Sequence, residues 1–469
     1  MTGLFLLAAA VGMFEGNGDV GTVLHAGEAE YDSAARTYTV SGSGENMWFG
    51  TDAFHFVWKK VTGDVTLTAD VRILGEGGDP HRKAVLMIRQ SLDADSAYAD
   101  AALHGDGLTS LQTRDAKGAA THEIQASVAR PSRVRISKRG EWFYMSVAGE
   151  GGELRPAGGW MKAAIDGAFY VGIGVCAHNK DGVERAAFSN VELGTPYALP
   201  AHYWSTLETV SIASTDRRAL LIKEGHVGAP TWSPDGEALV FLDQGRLWRV
   251  AASGGQATPI GTGRGFVFSV YAGFSPDGKT LAFTARHGSH SAAQVWVMPA
   301  AGGKPRRVTK EGRSEWSGWS PDGKTLIFSG ERKDRGGIFT VPASGGREEA
   351  LIPYDGQDAV YSPDRRYIYF DSQRGGGMET QVWRARADAS DKEQVTPAGT
   401  TNRFPHVSPD GKWLAFMSAS HAGALVRLMS LADGETRVMG NLGVLGGSME
   451  APCWSPDSKR LTFVSYQEF

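Results

Sequence analysis

Polar side chains recur at one place in a repeat that fills the second half of the chain. Ser-Pro-Asp occurs six times between residues 233 and 457, and His, Asp, Glu, Gln or Arg precedes most copies by three to eight residues before the proline. Because a repeated fold places each copy alike, these side chains should converge at one end of the molecule. Converging His, amide and carboxylate groups can bind a polar ligand or hold a metal ion. The predicted set is His226, Glu315, Gln357, Asp358, Arg403, His406 and Glu450.

A second polar set lies in the first half of the chain. Alternation along one predicted strand places Asp100 and His104 on a polar face, and Arg89 of the preceding strand is expected beside them. Trp48 lies in a Gly-rich segment and could stack on a sugar ring. An aromatic platform with a few placed polar groups is typical of a glycan pocket, which we predict from Trp48, Arg89 and His104. The alternative is that Trp48 belongs to the core and that the two basic side chains are surface neighbours of Asp100.

Motifs for several kinds of catalysis are absent from the sequence. Glycosidases need two carboxylates flanking the scissile bond, and residues 14–195 contain no Glu-x-Asp-x-Glu strand pattern. No Gly-x-Ser-x-Gly elbow leads into an α/β-hydrolase segment, and the Gly-rich stretches lack the context of a phosphate loop. Enzymatic activity is therefore left open. No cofactor is predicted, with a metal ion at the converging His and carboxylate groups as the alternative.

The elements that position the first polar set follow from the repeat itself. The Ser-Pro-Asp copies are 42 to 47 residues apart, and a short apolar strand follows each one. Pro fixes φ at the second turn position, Asp bonds to its own backbone, and Gly in four copies accepts a positive φ. A period of ~40–50 residues with several short strands per unit is typical of a β-propeller. Six copies predict six blades, with residues 203–224 pairing with the C-terminal hairpin to close the ring.

The repeats resemble the TolB-like propeller family of bacterial envelope proteins. Turns such as Trp232 to Gly236 and Trp319 to Gly323, each followed by a Phe-containing strand, carry this resemblance, which covers residues 203–469. It implies a periplasmic or extracellular protein whose partner is a carbohydrate or an envelope protein. The polar mouth also resembles that of oligogalacturonate lyase, a propeller enzyme that places a metal and a base there. Such repeats specify architecture far better than activity.

Residues 14–195 carry no repeat and are predicted to form a separate all-β domain. Predicted strands such as Val65 to Ile73 and Ser96 to His104 are separated by Gly-rich turns, which indicates an antiparallel sandwich. The segment order and the end of the domain, Ala187 to Leu193, resemble concanavalin A-like, laminin G-like jelly rolls, a fold used widely for glycans. Residues 196–202 are predicted to be a linker.

Composition agrees with two all-β domains. The 469 residues exceed the ~250–300 at which single cores usually split. The formal net charge of −4, without long runs of one sign, argues against a nucleic-acid partner. The basic run Lys304 to Arg307 is interpreted as a solvated strand edge. Cys176 and Cys453 lie in different domains, so neither a disulfide nor a metal site is expected.

The apolar lead at residues 1–13 is too short to span a bilayer, and no membrane span is predicted. The lead is either a signal remnant or the first strand of the domain, so the family resemblance, rather than this segment, favours export.

These features predict an all-β envelope or secreted binding protein that recognises a carbohydrate or a protein through the propeller mouth and the lectin-like sandwich. One alternative is an oligosaccharide lyase or hydrolase with a metal or a His and carboxylate site at the mouth. The other is a structural docking scaffold.

Overall fold

The computed structural model describes residues 10–196, 203–288, 291–333, 335–374, 379–420, 423–443 and 446–468. Most of the predicted apolar lead and of the predicted linker lies outside these ranges. Regular secondary structure in the described ranges is made of β-strands, and none of it is a helix with the length and hydropathy that crossing a bilayer requires. The chain divides into two compact units, residues 1–201 and 202–468, apart from the short segment 216–219.

The first unit contains sixteen described strands. They are β1 (Gly16–Val20), β2 (Glu28–Asp32), β3 (Thr37–Gly44), β4 (Met47–Trp48), β5 (Thr51–Asp52), β6 (Phe54–Thr62), β7 (Val65–Leu74), β8 (Lys83–Arg89), β9 (Tyr98–His104), β10 (Thr109–Arg114), β11 (Thr121–Gln125), β12 (Arg133–Arg139), β13 (Trp142–Ala148), β14 (Arg155–Lys162), β15 (Ala168–Cys176) and β16 (Asn179–Gly194).

Two antiparallel sheets build this unit. One has the order β14-β13-β12-β7-β16-β3-β2, and in the other the strands follow as β1-β6-β15-β8-β9-β10-β11. Alternate residues of both sheets, among them Leu67, Leu86 and Phe188, fill one apolar core, as the period-2 pattern requires. The structure thus shows an all-β, two-sheet unit, and its assignment to the concanavalin A-like type stays a prediction.

The opposite face of the second sheet differs from the expectation of an exposed polar surface. Asp100 and His104 are at most 5% exposed, and Arg89 is fully buried. The β4–β5 hairpin and a second apolar cluster around Phe54, Phe56 and Tyr98 account for this burial. Alternation along β9 places Asp100 and His104 on one face, as the structure does. It does not reveal that the β4–β5 hairpin, which is distant in sequence, covers that face.

The second unit contains twenty-four described strands. They are β17 (Tyr203–Ser211), β18 (Arg217–Glu224), β19 (Val227–Trp232), β20 (Ala238–Asp243), β21 (Arg246–Ala251), β22 (Thr258–Pro259), β23 (Phe266–Phe274), β24 (Thr280–His287), β25 (Gln294–Pro299), β26 (Arg306–Arg307), β27 (Arg313–Trp319), β28 (Thr325–Arg332), β29 (Arg335–Pro342), β30 (Glu349–Pro353), β31 (Gln357–Tyr361), β32 (Tyr367–Ser372), β33 (Gln381–Arg386), β34 (Glu393–Gln394), β35 (Thr401–Val407), β36 (Trp413–Ser420), β37 (Gly423–Ser430), β38 (Thr436–Gly443), β39 (Gly447–Ser448) and β40 (Arg460–Glu468).

Five separate four-stranded antiparallel sheets, from β19–β22 to β35–β38, form the blades of a propeller. The predicted count of six is not shown, because β40 has no four-stranded sheet of its own. Instead the strands β18, β17, β40 and β39 follow one another in that order within a larger sheet. In it, β17 and β40 pair antiparallel over nine positions, from Tyr203↔Glu468 to Ser211↔Arg460.

The six Ser-Pro-Asp turns share one hydrogen-bond network. In every copy the Ser hydroxyl donates to the Asp carboxylate at 2.5–2.7 Å. In the Ser275 turn, the Ser oxygen also accepts the N–H of Thr280, and the Asp277 carboxylate accepts that of Lys279. The pKa of Asp277 is lowered mainly by the hydrogen bond from the Ser275 hydroxyl and, to a smaller extent, by that from the Lys279 N–H. Since every partner lies within six residues, the turn is specified locally.

The inner strands of the blades carry a bulge shortly before each turn. Ladder pairing shifts at Ala229 in β19, at Asp358 in β31 and at Phe404 in β35, where φ is 50°, 54° and 58°. A bulge re-aims the side chains that follow it. In β35, Arg403 lies before the bulge and faces Asp358 and Asp371, whereas His406 lies after it and is buried against Met449.

Tryptophans at the turns connect neighbouring blades. The indole N–H of Trp319 donates to the carbonyl of Gly273 at 3.2 Å, and that of Trp454 donates to the carbonyl of His406 at 2.9 Å. Each bond reaches the inner strand of the preceding repeat. Trp232 is 8% exposed and packs in an apolar cluster with Leu239 and Phe241.

Candidate binding sites

Side chains from different blades meet at the end of the propeller opposite the Ser-Pro-Asp turns, here called the mouth. The hydroxyl of Tyr271 in β23 donates to Oδ1 of Asp358 in β31 at 2.6 Å. The inner strand between them in the repeat is β27, so this bond joins two blades that are not neighbours in sequence. The inner strands therefore bring their polar groups within hydrogen-bonding distance of one another.

Two carboxyl groups and one guanidinium form the centre of the mouth. Arg403 lies with a terminal guanidinium nitrogen 3.4 Å from Oδ2 of Asp358 and with its Nε 3.6 Å from Oδ2 of Asp371. Oδ2 of Asp371 also accepts the N–H of Phe404 at 3.0 Å. Oδ1 of Asp371 is buried and has no hydrogen-bond partner among the described residues.

Burial controls the protonation of this pair. It raises the pKa of Asp358, against the lowering effects of the Tyr271 hydroxyl and Arg403. Burial is the larger cause, and the charge of Asp358 the next, of a pKa of Asp371 that is raised well above its ordinary value. Two adjacent carboxyl groups with one cation cannot both ionise at low cost, so the pair retains a proton to a higher pH than isolated carboxyl groups do.

Glu315 and Glu450 add to the negative charge of the mouth. The guanidinium of Arg313 donates to Oε1 of Glu315 at 2.6 and 3.1 Å. Ser448 donates its hydroxyl to Glu450, and its oxygen accepts the N–H of Ala229 at 2.7 Å. Burial is the main cause that raises the pKa of Tyr271 well above its ordinary value of 10. The charge of Asp358 and its hydrogen bond with Tyr271 raise this pKa further, as do the charges of Glu450 and Glu315.

The other three predicted mouth residues make contacts of their own. His226 is exposed and shares a hydrogen bond of 2.9 Å with the Tyr466 hydroxyl. Gln357 is exposed and lines a cavity of about 690 Å³ that also includes Asp371. His406 is buried with Nε2 3.0 Å from the Met449 carbonyl, and burial lowers its pKa to about 4.

A cluster of three or more His, Cys, Asp or Glu side chains able to hold a metal ion is not found in the described parts of the chain. His226 and His406 in particular make separate contacts with Tyr466 and Met449.

Two central residues of the mouth were missed by the sequence analysis. Tyr271 lies five residues before Pro276, within the same interval as the predicted residues, but an aromatic residue in this apolar stretch resembles a core residue. Asp371 follows the apolar run Ile368 to Phe370 on a second strand, outside that interval. An acid at the end of a buried apolar strand is the signal that could have identified it.

The first unit contains a smaller pocket of about 260 Å³ that includes Trp48 and His104. Lys83 lies beneath it, 4% exposed, with its Nζ 5.3 Å from the centre of the Trp48 ring. This ammonium donates to Oδ1 of Asn46, the carbonyl of Met47 and Oε1 of Gln112 at 3.2–3.4 Å. With all three protons used, Lys83 orients the hairpin and the amide that line the pocket.

Arg89 and Asp100 do not line this pocket. Arg89 donates to the carbonyls of Ser91 and Asp93 and lies 3.4 Å from Oδ2 of Asp52. Asp100 is fully buried without a hydrogen-bond partner among the described residues, and burial raises its pKa well above the ordinary value. Burial also lowers the pKa of His104 to about 3, so its ring is neutral.

These features define a two-unit all-β protein whose propeller carries an acidic mouth. Family models agree: residues 229–376 match the Tricorn protease N-terminal beta propeller domain, and residues 316–468 match the TolB beta propeller domain.

Individual relatives match somewhat more than half of the chain. An uncharacterized protein of Agrobacterium fabrum is 34% identical over 56% of this chain and 92% of its own length. The solved structure of a putative TolB from Agrobacterium tumefaciens is 30% identical, covers 57% of this chain and 99% of that one, and has a TM-score of 0.53. The chain belongs to the TolB-like β-propeller family.

More distant relatives are matched only in part. The Tol-Pal system protein TolB of Francisella tularensis is 24% identical, over 57% of this chain and 62% of its own length, so the chain spans less than two thirds of it. Oligogalacturonate lyase in complex with manganese aligns at 12% identity, over 55% of this chain and 82% of that one, with a TM-score of 0.39. That likeness is too remote to support a lyase activity.

Proposed function

We propose that this chain is a binding protein of the bacterial envelope that recognises a protein partner through the mouth of its propeller. Membership of the TolB-like family and the partial match to a Tol-Pal system protein support the location and the class of partner. The fold alone would not, because propellers serve many functions.

The single observation that carries the proposal is the charge of the mouth. Asp358 and Asp371 lie beside Arg403, and the charges of Glu450 and Glu315 both act on Tyr271, the hydrogen-bond partner of Asp358. A second cation, Arg313, already pairs with Glu315. Buried carboxylates that are only partly paired are costly unless a ligand satisfies them. The partner is therefore expected to insert a cationic side chain, Lys or Arg, into the mouth.

We further propose that β17, β18, β39 and β40 form the sixth blade, so that residues 203–224 close the ring. The nine-position pairing of β17 with β40 supports this closure. A closed ring holds the inner strands, and hence the mouth, in one geometry.

The test uses the intact chain, a tetralysine peptide and isothermal titration calorimetry. Replacing Glu315 and Glu450 by Gln removes two charges without changing side-chain shape, and we expect at least tenfold weaker binding, since tenfold corresponds to about 1.4 kcal/mol. The matched control replaces the exposed Glu349 and Glu435 by Gln, which changes the net charge equally. The acetyl-lysine form of the peptide should not bind.

Equal weakening in the control would show that the peptide binds the general surface charge. Unchanged affinity in the Glu315 and Glu450 variant would remove the mouth as the site.

A second candidate function is carbohydrate recognition by the first unit, which we propose to be concanavalin A-like. The pocket beside Trp48 supports it, because an aromatic ring lies next to the side chains of Gln125 and Glu123, which can bond hydroxyl groups. A glycan array probed with the intact chain should show binding that Trp48→Ala abolishes and Trp142→Ala preserves. Binding that survives Trp48→Ala would place any carbohydrate site elsewhere.

A further inference from the structure

A cleft of about 720 Å³ lies beside the second propeller sheet, and its lining includes none of the acidic residues of the mouth. The loop at 260–265, which leads into β23, forms one wall, and the turn at 300–305 between β25 and β26 forms another. The Gly303 N–H donates to the carbonyl of Gly261 at 2.9 Å and joins the two. Gly302 has φ +95°, and a Cβ there would lie 2.9 Å from that same carbonyl, so close approach of the walls requires glycine.

Three aromatic rings line this cleft. The ring centre of Phe266 lies 4.5 Å from that of His287 and 4.9 Å from that of Trp296. His287 is exposed, and the other two rings are partly exposed. The Trp296 indole N–H is bonded to the Ala285 carbonyl at 3.1 Å, which fixes the ring plane. A volume of this size with several aromatic rings in its lining is typical of small-molecule sites.

Two exposed cations, Arg264 and Lys304, stand at the edge of the cleft. Within the described residues, neither side chain has a hydrogen bond or an ion pair. This differs from Arg306, the neighbour of Lys304 in the same basic run, which donates to the carbonyls of Ala343 and Ser344. The basic run is thus not uniformly a solvated edge, because its first member faces an aromatic cleft.

We propose that this cleft binds a small aromatic ring that carries a doubly charged anion such as a phosphate monoester. The ring stacks on the Trp296 and His287 side of the cleft, where flat rings gain from offset or edge contacts. The anion pairs with Arg264 and Lys304, since guanidinium and ammonium groups are the usual phosphate partners. This site is independent of the mouth and of the pocket beside Trp48.

The test measures phenyl phosphate binding to the intact chain by saturation-transfer NMR and calorimetry. Replacing Arg264 and Lys304 together by Glu should weaken binding at least tenfold. The control with the same charge change is Lys279→Glu with Lys324→Glu, at exposed positions of two Ser-Pro-Asp turns, and it should bind as the wild type does. Benzyl alcohol and inorganic phosphate should each bind more weakly than phenyl phosphate. The affinity of benzoate should lie between that of phenyl phosphate and those of the other two compounds.

A separate variant, His287→Ala, tests the ring contact. It should weaken phenyl phosphate binding and leave inorganic phosphate binding unchanged. Should the double Glu variant fail to fold, as judged by circular dichroism, the Arg264→Gln and Lys304→Gln pair replaces it. The proposal is overturned if the cleft and control variants bind phenyl phosphate equally, or if benzyl alcohol binds as tightly as phenyl phosphate.

Discussion

His406 should make the propeller sensitive to acid. Its ring is buried against the Met449 carbonyl, and burial lowers its pKa from 6.5 to about 4. The unfolded chain therefore takes up a proton at a higher pH than the folded one. The stabilisation is complete above pH 6.5 and is lost as the pH falls toward 4. The full difference corresponds to about 3 kcal/mol, and about 2 kcal/mol of it should disappear between pH 7 and pH 5.

The perturbation that isolates this effect is His406→Gln, which keeps a donor for the Met449 carbonyl but does not titrate. Urea unfolding at pH 7 and at pH 5 is followed by pulsed hydrogen exchange and mass spectrometry of the peptide 401–420, which reports the propeller alone. The variant should lose about 2 kcal/mol less stability than the wild type on acidification. The control is His287→Gln, an exposed position that should behave like the wild type. Parallel pH dependences of wild type and His406→Gln would refute a neutral buried ring.

Three further outcomes are expected. Because burial and Asp358 raise the pKa of Asp371, the free energy of unfolding should fall as the pH rises from the pKa of Asp371 in the unfolded chain through its raised pKa in the folded one. Asp371→Asn should flatten this slope in urea midpoints measured as a function of pH, and an unchanged slope would contradict a shared proton. Trp454→Phe should cost about 1 kcal/mol for the lost hydrogen bond and Trp454→Ala ~3–5 kcal/mol, so equal costs in urea would contradict packing between blades. Deleting residues 203–211 should remove the cooperative thermal unfolding of the propeller, and a melting curve like that of the intact chain would argue against closure.

The parts of the fold that sequence predicts well are those specified locally. The Ser275 turn contains all of its own hydrogen-bond partners, so its sequence alone determines it. The strand over residues 65–74 likewise shows a full period-2 pattern. The number of blades is different, because it depends on pairing between β17 and β40, which lie some 250 residues apart.

Strand β35 at the mouth also shows the difference between features that the local sequence specifies and features that depend on the tertiary fold. Counting back from proline brings Arg403 to the centre because it precedes the bulge, whereas His406 follows the bulge and packs between blades. A left-handed Phe404 is not evident from residue type, so the change of direction could not be predicted. Asp371 lies on a different strand and enters the site only through the tertiary fold.

The register of β17 with β40 has a mechanical consequence. Because Tyr203 lies opposite Glu468, the outer ends of the two antiparallel strands lie at the same end of the ladder. A tensile force applied between these two residues acts along the hydrogen bonds, which run perpendicular to the strands, and loads the terminal pair first. The nine residue pairs then separate one after another from this end, instead of bearing the force together as they would in a shear geometry. The propeller can thus be thermally stable and still open at low force when it is pulled from its ends.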